Sequence, residues 1–305
     1  MLAVFDQRAR DGQPVELLRR FEEKQASRVL GLDARRLHAA EGALLEAAEP
    51  FEALGLGPAL PFGATRTLGG IHQNNVLSAV RGLEVAGDPS LALALEAARR
   101  RRHSRSKPVR LCASQRVIRM QPLPDPSWLP HFQLFAAVTA SRGGSILEAL
   151  REHASIYLRV LAPRAERVVL EVSDSRRVLR LLAEQGVEVQ GQFRAHDPAS
   201  SAAYLAERGV VLPRGRGLDA RLESEVLGPL EREFPALELV IDLGRCEGLS
   251  YYSGPMLRIL AARAAGPLLH LVDGGRLDWT GRLLADRSEW VLASGIGVDR
   301  LAQFF

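Results

Sequence analysis

The chain has 305 residues, 47% hydrophobic and 25% charged, with a formal net charge of +4 at pH 7. That length can bury one large core without metals or disulfides, and the two cysteines, Cys112 and Cys246, lie in no CxxC or Cys/His cluster, so neither a disulfide framework nor a zinc site is expected. Asp6, Arg8, Arg10 and Asp11 interrupt any apolar leader, and no uncharged apolar run reaches the length of a membrane span; a cytoplasmic protein is expected.

Taken in chain order, the first forty residues are helical and charged. "PVELLRRFEEKQASRVL" carries apolar positions at Val15, Leu17, Leu18, Phe21, Val29 and Leu30. A second helix is expected from a capping Asp33 to the region of Gly55 and Gly57, followed by the extended "PALPFG". Gly63 to Asn75 is rich in Gly, Thr and Asn and is expected to be loop.

The basic run "AARRRRHSRSK" either neutralises nucleic-acid phosphates or forms a solvated helix end, its cations facing the last carbonyls. No aromatic residues interleave with the arginines, which favours the helix end.

From Pro108 the pattern changes. "PVRLCASQRVIRM" and "HFQLFAAVTA" are two strands joined by the proline-rich "QPLPDPSWLP". "GSILEALREHASIYLRVL" returns to helix, and "RVVLEV", "SDS" and "RRVLRLLAEQ" form a strand, a cap and a helix closed by Gly186. Short helices are expected between Phe193 and Leu230. Strands are expected in "ALELVIDLG" and "GPLLHLVDGG", and "WVLASGIGVDRLAQFF" reads as strand, glycine turn and helix. Strand runs with helices set apart predict an α+β fold around an antiparallel sheet. No G-x-G-x-x-G follows an early strand and no P-loop is present. Asp273, Asp278 and Asp299 form no metal cluster, so no cofactor is expected.

Three glycine-marked segments, "EGLSYYSG", "DGGRLDW" and "SGIGVDRL", succeed one another near the C-terminus. Their order resembles the end of the histidyl-tRNA synthetase catalytic domain, with its "GLxYYTG", "GGRYD" and "GiGxxR" segments. "RVIRMQ...HFQLF" resembles the family's second class II motif, and "AGDPSLALALEAARRRRHSRSKPVRL" resembles the approach to it. The resemblance covers Phe51 to Phe305. It implies a class II synthetase-like domain over 41–305, with a helical insertion at about 190–232 and a divergent helical segment at 1–40. It also implies a six-stranded antiparallel sheet flanked by helices, in a homodimer.

Residue by residue, the resemblance aligns Arg119 with the arginine that holds the α-phosphate of ATP and Arg300 with the one that covers the adenine. Gln133 aligns with a glutamine on the substrate amino group, and Tyr251 and Tyr252 with the tyrosines of a histidine pocket. Gln121 stands where a glutamate reads the adenine, and the proline-rich connection after it carries no arginine. Glu247 replaces the family's catalytic arginine, a charge reversal; after a slip in the alignment Arg245 would compensate, and the two readings stay open. Asp88, Ser90 and Ala92 replace an arginine, an acid and a threonine. Preorganised cations stabilise the charge that develops in adenylate formation, so their loss implies little activation chemistry.

With no anticodon-binding domain expected after the last motif, the chain resembles the regulatory subunits of ATP phosphoribosyltransferase, which are noncatalytic synthetase paralogues. That resemblance implies a short catalytic subunit as partner, free histidine as effector in feedback control of histidine biosynthesis, and no specific tRNA binding. Two rivals stand beside it: a histidyl-tRNA synthetase-like amino-acid-activating enzyme, and a paralogue that binds another protein or RNA. His131 is expected to be structural.

Overall fold

The computed structural model describes residues 2–104, 106–123, 129–187, 203, 205–263 and 266–305. Among the described residues the strands are β1 (Glu52–Ala53), β2 (Ala59–Pro61), β3 (Ser78–Ala79), β4 (Leu83–Val85), β5 (Val109–Ile118), β6 (His131–Ser141), β7 (Arg167–Asp174), β8 (Arg214–Gly215), β9 (Glu238–Asp242), β10 (Pro255–Ala262), β11 (Leu269–Leu277) and β12 (Trp290–Gly297). Nine form one sheet in the order β1-β5-β6-β12-β11-β10-β7-β9-β8. Every neighbouring pair from β5 through β7 in that order is antiparallel, so the expected six-stranded antiparallel unit is present. The short β1 and β9 extend it in parallel at either side, and β8 closes the β9 edge.

Among the described residues the α-helices longer than one turn are α1 (Leu2–Arg10), α2 (Pro14–Glu23), α3 (Ala34–Ala47), α4 (Ala64–Gly69), α5 (Pro89–His103), α6 (Ile146–Leu161), α7 (Ser175–Glu184), α8 (Gly228–Glu233), α9 (Trp279–Leu284) and α10 (Val298–Phe304). The two faces of the sheet follow the period of two along a strand. On β6, Phe135 and Ala137 join the core shared with α3 and α6, while Ala136, Val138 and Ala140 join the core under α5 and α9.

Several local expectations change in the folded chain. The helix capped by the Asp33 carboxylate ends at Ala47, well before Gly55, because Pro50 and the pairing of β1 with β5 take the chain into an extended path. The expected loop at 63–75 contains α4 and a 3₁₀ turn at Gln73–Asn75. The cause is distant in sequence: the buried Glu84 carboxylate accepts from the Gly63 and Thr65 amides, satisfying the start of α4. Helix α2 stops at Glu23 and gives way to a 3₁₀ turn at Gln25–Ser27. Strand β10, in the middle of the sheet, had no counterpart among the expected strands; "PMLRILAA" is an apolar run of the kind a strand covered on both faces carries. Of the short helices expected between 193 and 230, a turn of helix at Ala220–Leu222, a π turn at Glu223–Leu227 and α8 are present; 188–202 and 204 lie outside the described residues.

The basic run does end a helix, α5, but it is not uniformly solvated. The Arg101 side chain is 1% exposed and meets Glu289, itself fully buried, through two hydrogen bonds of 2.9 and 2.8 Å. Arg99 and Arg100 pair with Glu96, and Arg100 also with Glu52. These acids answer three of the arginines in the run, Arg99, Arg100 and Arg101.

Beneath β12, His153 of α6 is fully buried between the Thr139 and Ser294 hydroxyls at 2.9 and 2.7 Å, and Tyr157 also reaches Ser294. Burial, aided by the Arg110 charge, pushes the imidazole pKa down to about 3. The folded state therefore holds His153 neutral, and its contribution is complete above the unfolded value near 6.5 and is lost as pH falls toward 3. Between pH 6.5 and 5, denaturant unfolding should show about 1.5 kcal/mol of stability loss that is absent in His153→Gln.

Candidate functional site

The connection between β9 and β10, residues 243–254, forms one wall of an open cleft of about 480 Å³. Gly248 takes φ +82, a left-handed conformation that suits glycine, and its carbonyl accepts from the Tyr251 and Tyr252 amides. The resulting turn lays Tyr251 edge-on to Tyr252, with centroids 5.0 Å apart, and edge-on to Trp279 at 6.0 Å. Two glycines make room for Tyr252. A Cβ on Gly248 would sit 2.8 Å from the ring, and one on Gly275 would sit 2.6 Å from it and 2.8 Å from Met256. Gly275→Ala should therefore overpack the wall and cost about 1–3 kcal/mol in urea unfolding.

Five of the seven candidate residues line this cleft: Arg119, Glu247, Tyr251, Tyr252 and Arg300. Gln133 does not, whereas its neighbours Leu134, Phe135 and Ala136 do. The Gln133 amide donates to Ser114 at 3.0 Å and reaches Glu41 at 3.4 Å, contacts on the α3 side of the sheet. Gln121 lies beyond β5, in the connection leading to the undescribed 124–128, and is not part of the lining. His131 is buried away from the cleft, bonded to the Arg28 carbonyl at 2.7 Å.

Arg119 leaves the end of β5, donates to the Gly87 carbonyl at 2.8 Å and the Asp88 carboxylate at 3.1 Å, and stacks over Phe132. Asp88 also caps α5. Arg300, on the first turn of α10, donates to the His270 carbonyl at the cleft rim. Glu247 faces Arg258 at 3.6 Å, and Arg258 is shared with Glu171 on the adjacent β7 and Asp242 on β9 beyond it. Burial, then the nearby Glu171 charge, raises the Asp242 carboxyl.

Arg245, which the alignment left open, and Asp273, which the sequence singled out for no role in the cleft, form the floor. The Arg245 side chain is 1% exposed, and its Nη2 donates to both Asp273 oxygens at 2.9 and 3.0 Å. Its Cζ lies 5.8 Å from the Tyr252 ring centre, and its Nε and Nη1 are buried without a hydrogen-bond partner among the described residues. The Tyr252 hydroxyl donates to Asp273 at 2.5 Å. Burial alone would raise the Asp273 carboxyl; the Arg245 charge and the His270 and Tyr252 contacts outweigh it and hold the group well below the usual carboxylate range. Burial, then the Asp273 charge, pushes the Tyr252 hydroxyl well above its ordinary value, so it remains a donor. The sequence signal for this pair was faint: an aspartate just before "GGR" and an arginine two residues ahead of "EGLSYY" become neighbours only when β11 pairs with β10.

The arrangement can hold a small polar molecule against an aromatic wall. Among the described residues no group of His, Cys, Asp and Glu could hold a metal ion, and no helix is long and apolar enough to cross a membrane.

No family model matches the chain, and no curated protein matches its sequence. Solved structures do match. An ATP phosphoribosyltransferase regulatory subunit/histidyl-tRNA synthetase from Bacillus halodurans superimposes with a TM-score of 0.68 at 15% identity, over 88% of this chain and 79% of that one. Histidyl-tRNA synthetase from Nostoc sp. PCC 7120 gives 0.67 at 15% identity, over 92% and 73%. The ATP phosphoribosyl transferase (HisG:HisZ) complex from Thermotoga maritima gives 0.53 at 13% identity, over 88% and 98%. At these identities the likeness shows the fold, which is α+β and class II synthetase-like.

Proposed function

We propose that the chain is a noncatalytic regulatory subunit of ATP phosphoribosyltransferase, which binds and activates a short catalytic subunit and takes free histidine in the cleft as feedback effector. The observation that carries this reading is the charge at Glu247. The position aligned with the synthetases' catalytic arginine holds a carboxylate, turned toward Arg258. Arg119 is likewise engaged by Asp88 and Arg245 by Asp273. Adenylate formation needs cations preorganised for developing phosphate charge, and these three arginines face acids instead. The likeness to both a regulatory subunit and a complex with a catalytic chain supports the partner.

The decisive experiment mixes the purified chain with a short catalytic subunit from the same organism. Co-elution and a rise in phosphoribosyl transfer that histidine reverses are expected; neither association nor stimulation would sink the reading. The amino-acid-activating alternative draws on Tyr251, Tyr252 and Arg300 lining one cleft. It predicts amino-acid-dependent pyrophosphate exchange, and our reading expects none.

A further inference from the structure

The three ion pairs around the cleft are asymmetric. The Asp273 side chain is 37% exposed and its partner Arg245 1%; Glu247 is 26% exposed and Arg258 16%; Asp88 is 32% exposed and Arg119 27%. In each pair the carboxylate faces the open space more than the guanidinium does. The contrast is sharpest on the floor, where Arg245 lies buried beside the Tyr252 ring and Asp273 stands in front of it. An aromatic wall next to a carboxylate is the combination that receives a cation: the ring face supplies the quadrupole and the acid the charge. A triphosphate would meet these acids alongside the arginines they engage, Arg119, Arg245 and Arg258, and contact with the carboxylates opposes its entry.

We propose that the cleft is a site for a small cationic ligand, in which Asp273 receives a protonated nitrogen beside Tyr252, and that nucleoside triphosphates are excluded from it. This deepens the effector reading above and rests on it. Arg245 then serves as a positioning residue: it holds the Asp273 carboxylate in place from behind without meeting the ligand. Arg300 stands at the rim, and His270 Nε2 lies 3.4 Å from the Asp273 carboxylate, which an entering cation therefore shares with it.

The test is calorimetric titration of the full chain with histidine, with histamine, which keeps the imidazole and amine but lacks the carboxylate, and with ATP. Histamine should bind within a few-fold of histidine, and ATP at least about tenfold more weakly than either. Removing Asp273 alone strands Arg245, so the variant to use is Arg245→Met with Asp273→Asn, which removes both charges and keeps an acceptor for Tyr252. It should weaken histidine and histamine by about tenfold or more while its thermal unfolding stays near that of the parent. Histidine binding with loss of histamine binding would overturn the proposal and leave the effector reading standing. Tightest binding by ATP, or unchanged binding in the double variant, would also overturn it. If the chain stimulates the catalytic subunit but takes neither histidine nor histamine, the cleft proposal fails and the subunit assignment survives.

Discussion

Replacing Arg101 with methionine is expected to lower the unfolding free energy by about 3–5 kcal/mol, the cost of leaving its buried partner uncompensated. Arg101 sits near the end of α5, and Glu289 just precedes β12. Two charge-assisted bonds join them, and Arg101 Nη1 adds a third to the Lys107 carbonyl at 2.7 Å. Both side chains are removed from water, so the loss of one leaves a charge that neither solvent nor protein can answer. Exchanging both, Arg101→Met with Glu289→Gln, should recover most of the loss, since a buried pair is worth far less than the penalty of breaking it. Urea unfolding of the two single variants and the double variant gives the coupling directly. Near-additive losses would show that the pair is more hydrated than its geometry indicates. The consequence reaches the cleft, because α5 carries Asp88 and Ser90 at its start and β12 carries Ser294 and Gly295, all of them lining residues.

Asp273→Ala is expected to be comparably severe, at about 3–5 kcal/mol. Arg245 already has two nitrogens without a partner, and Asp273 receives its remaining guanidinium contacts. Removal of the carboxylate leaves a buried cation and frees the Tyr252 hydroxyl at once. The parent should hold Asp273 ionised throughout the neutral range, so its stabilisation is present above the unfolded carboxylate value and fades only as pH falls below it. A chain that unfolds at the same urea concentration with and without this carboxylate would contradict the structural role assigned to the pair. Arg245→Met in the Asp273→Ala background should restore stability, because it takes away the charge that was stranded.

Much of the sheet was legible in advance. "PVRLCASQRVIRM" and "HFQLFAAVTA" carry enough strand-forming residues to declare a hairpin, and the Asp33 and Asp174 caps declare helix starts through local hydrogen bonds. What escaped notice depended on distant partners. Helix α4 begins where it does because Glu84, some twenty residues later, supplies its caps. Gln133 illustrates a different limit: alignment of motifs names a residue, but the folded strand decides what its side chain meets, and here Gln133 bonds to Ser114 and reaches Glu41 of α3.

By itself the sequence determined the class of fold, through the periodicities of its strands and helices, and the Tyr251–Tyr252 turn, through the glycines that flank it. It also placed Glu247, under the resemblance to the synthetases, at a position that an arginine takes in that family. Only the tertiary structure decided which acid answers which arginine. Such pairing depends on strand register and on depth below the surface, and neither distance nor desolvation is encoded in any local stretch of chain. Arg245, which the sequence left open as a substitute for the missing arginine, thus lies under Tyr252 against Asp273, while Glu247 turns to Arg258.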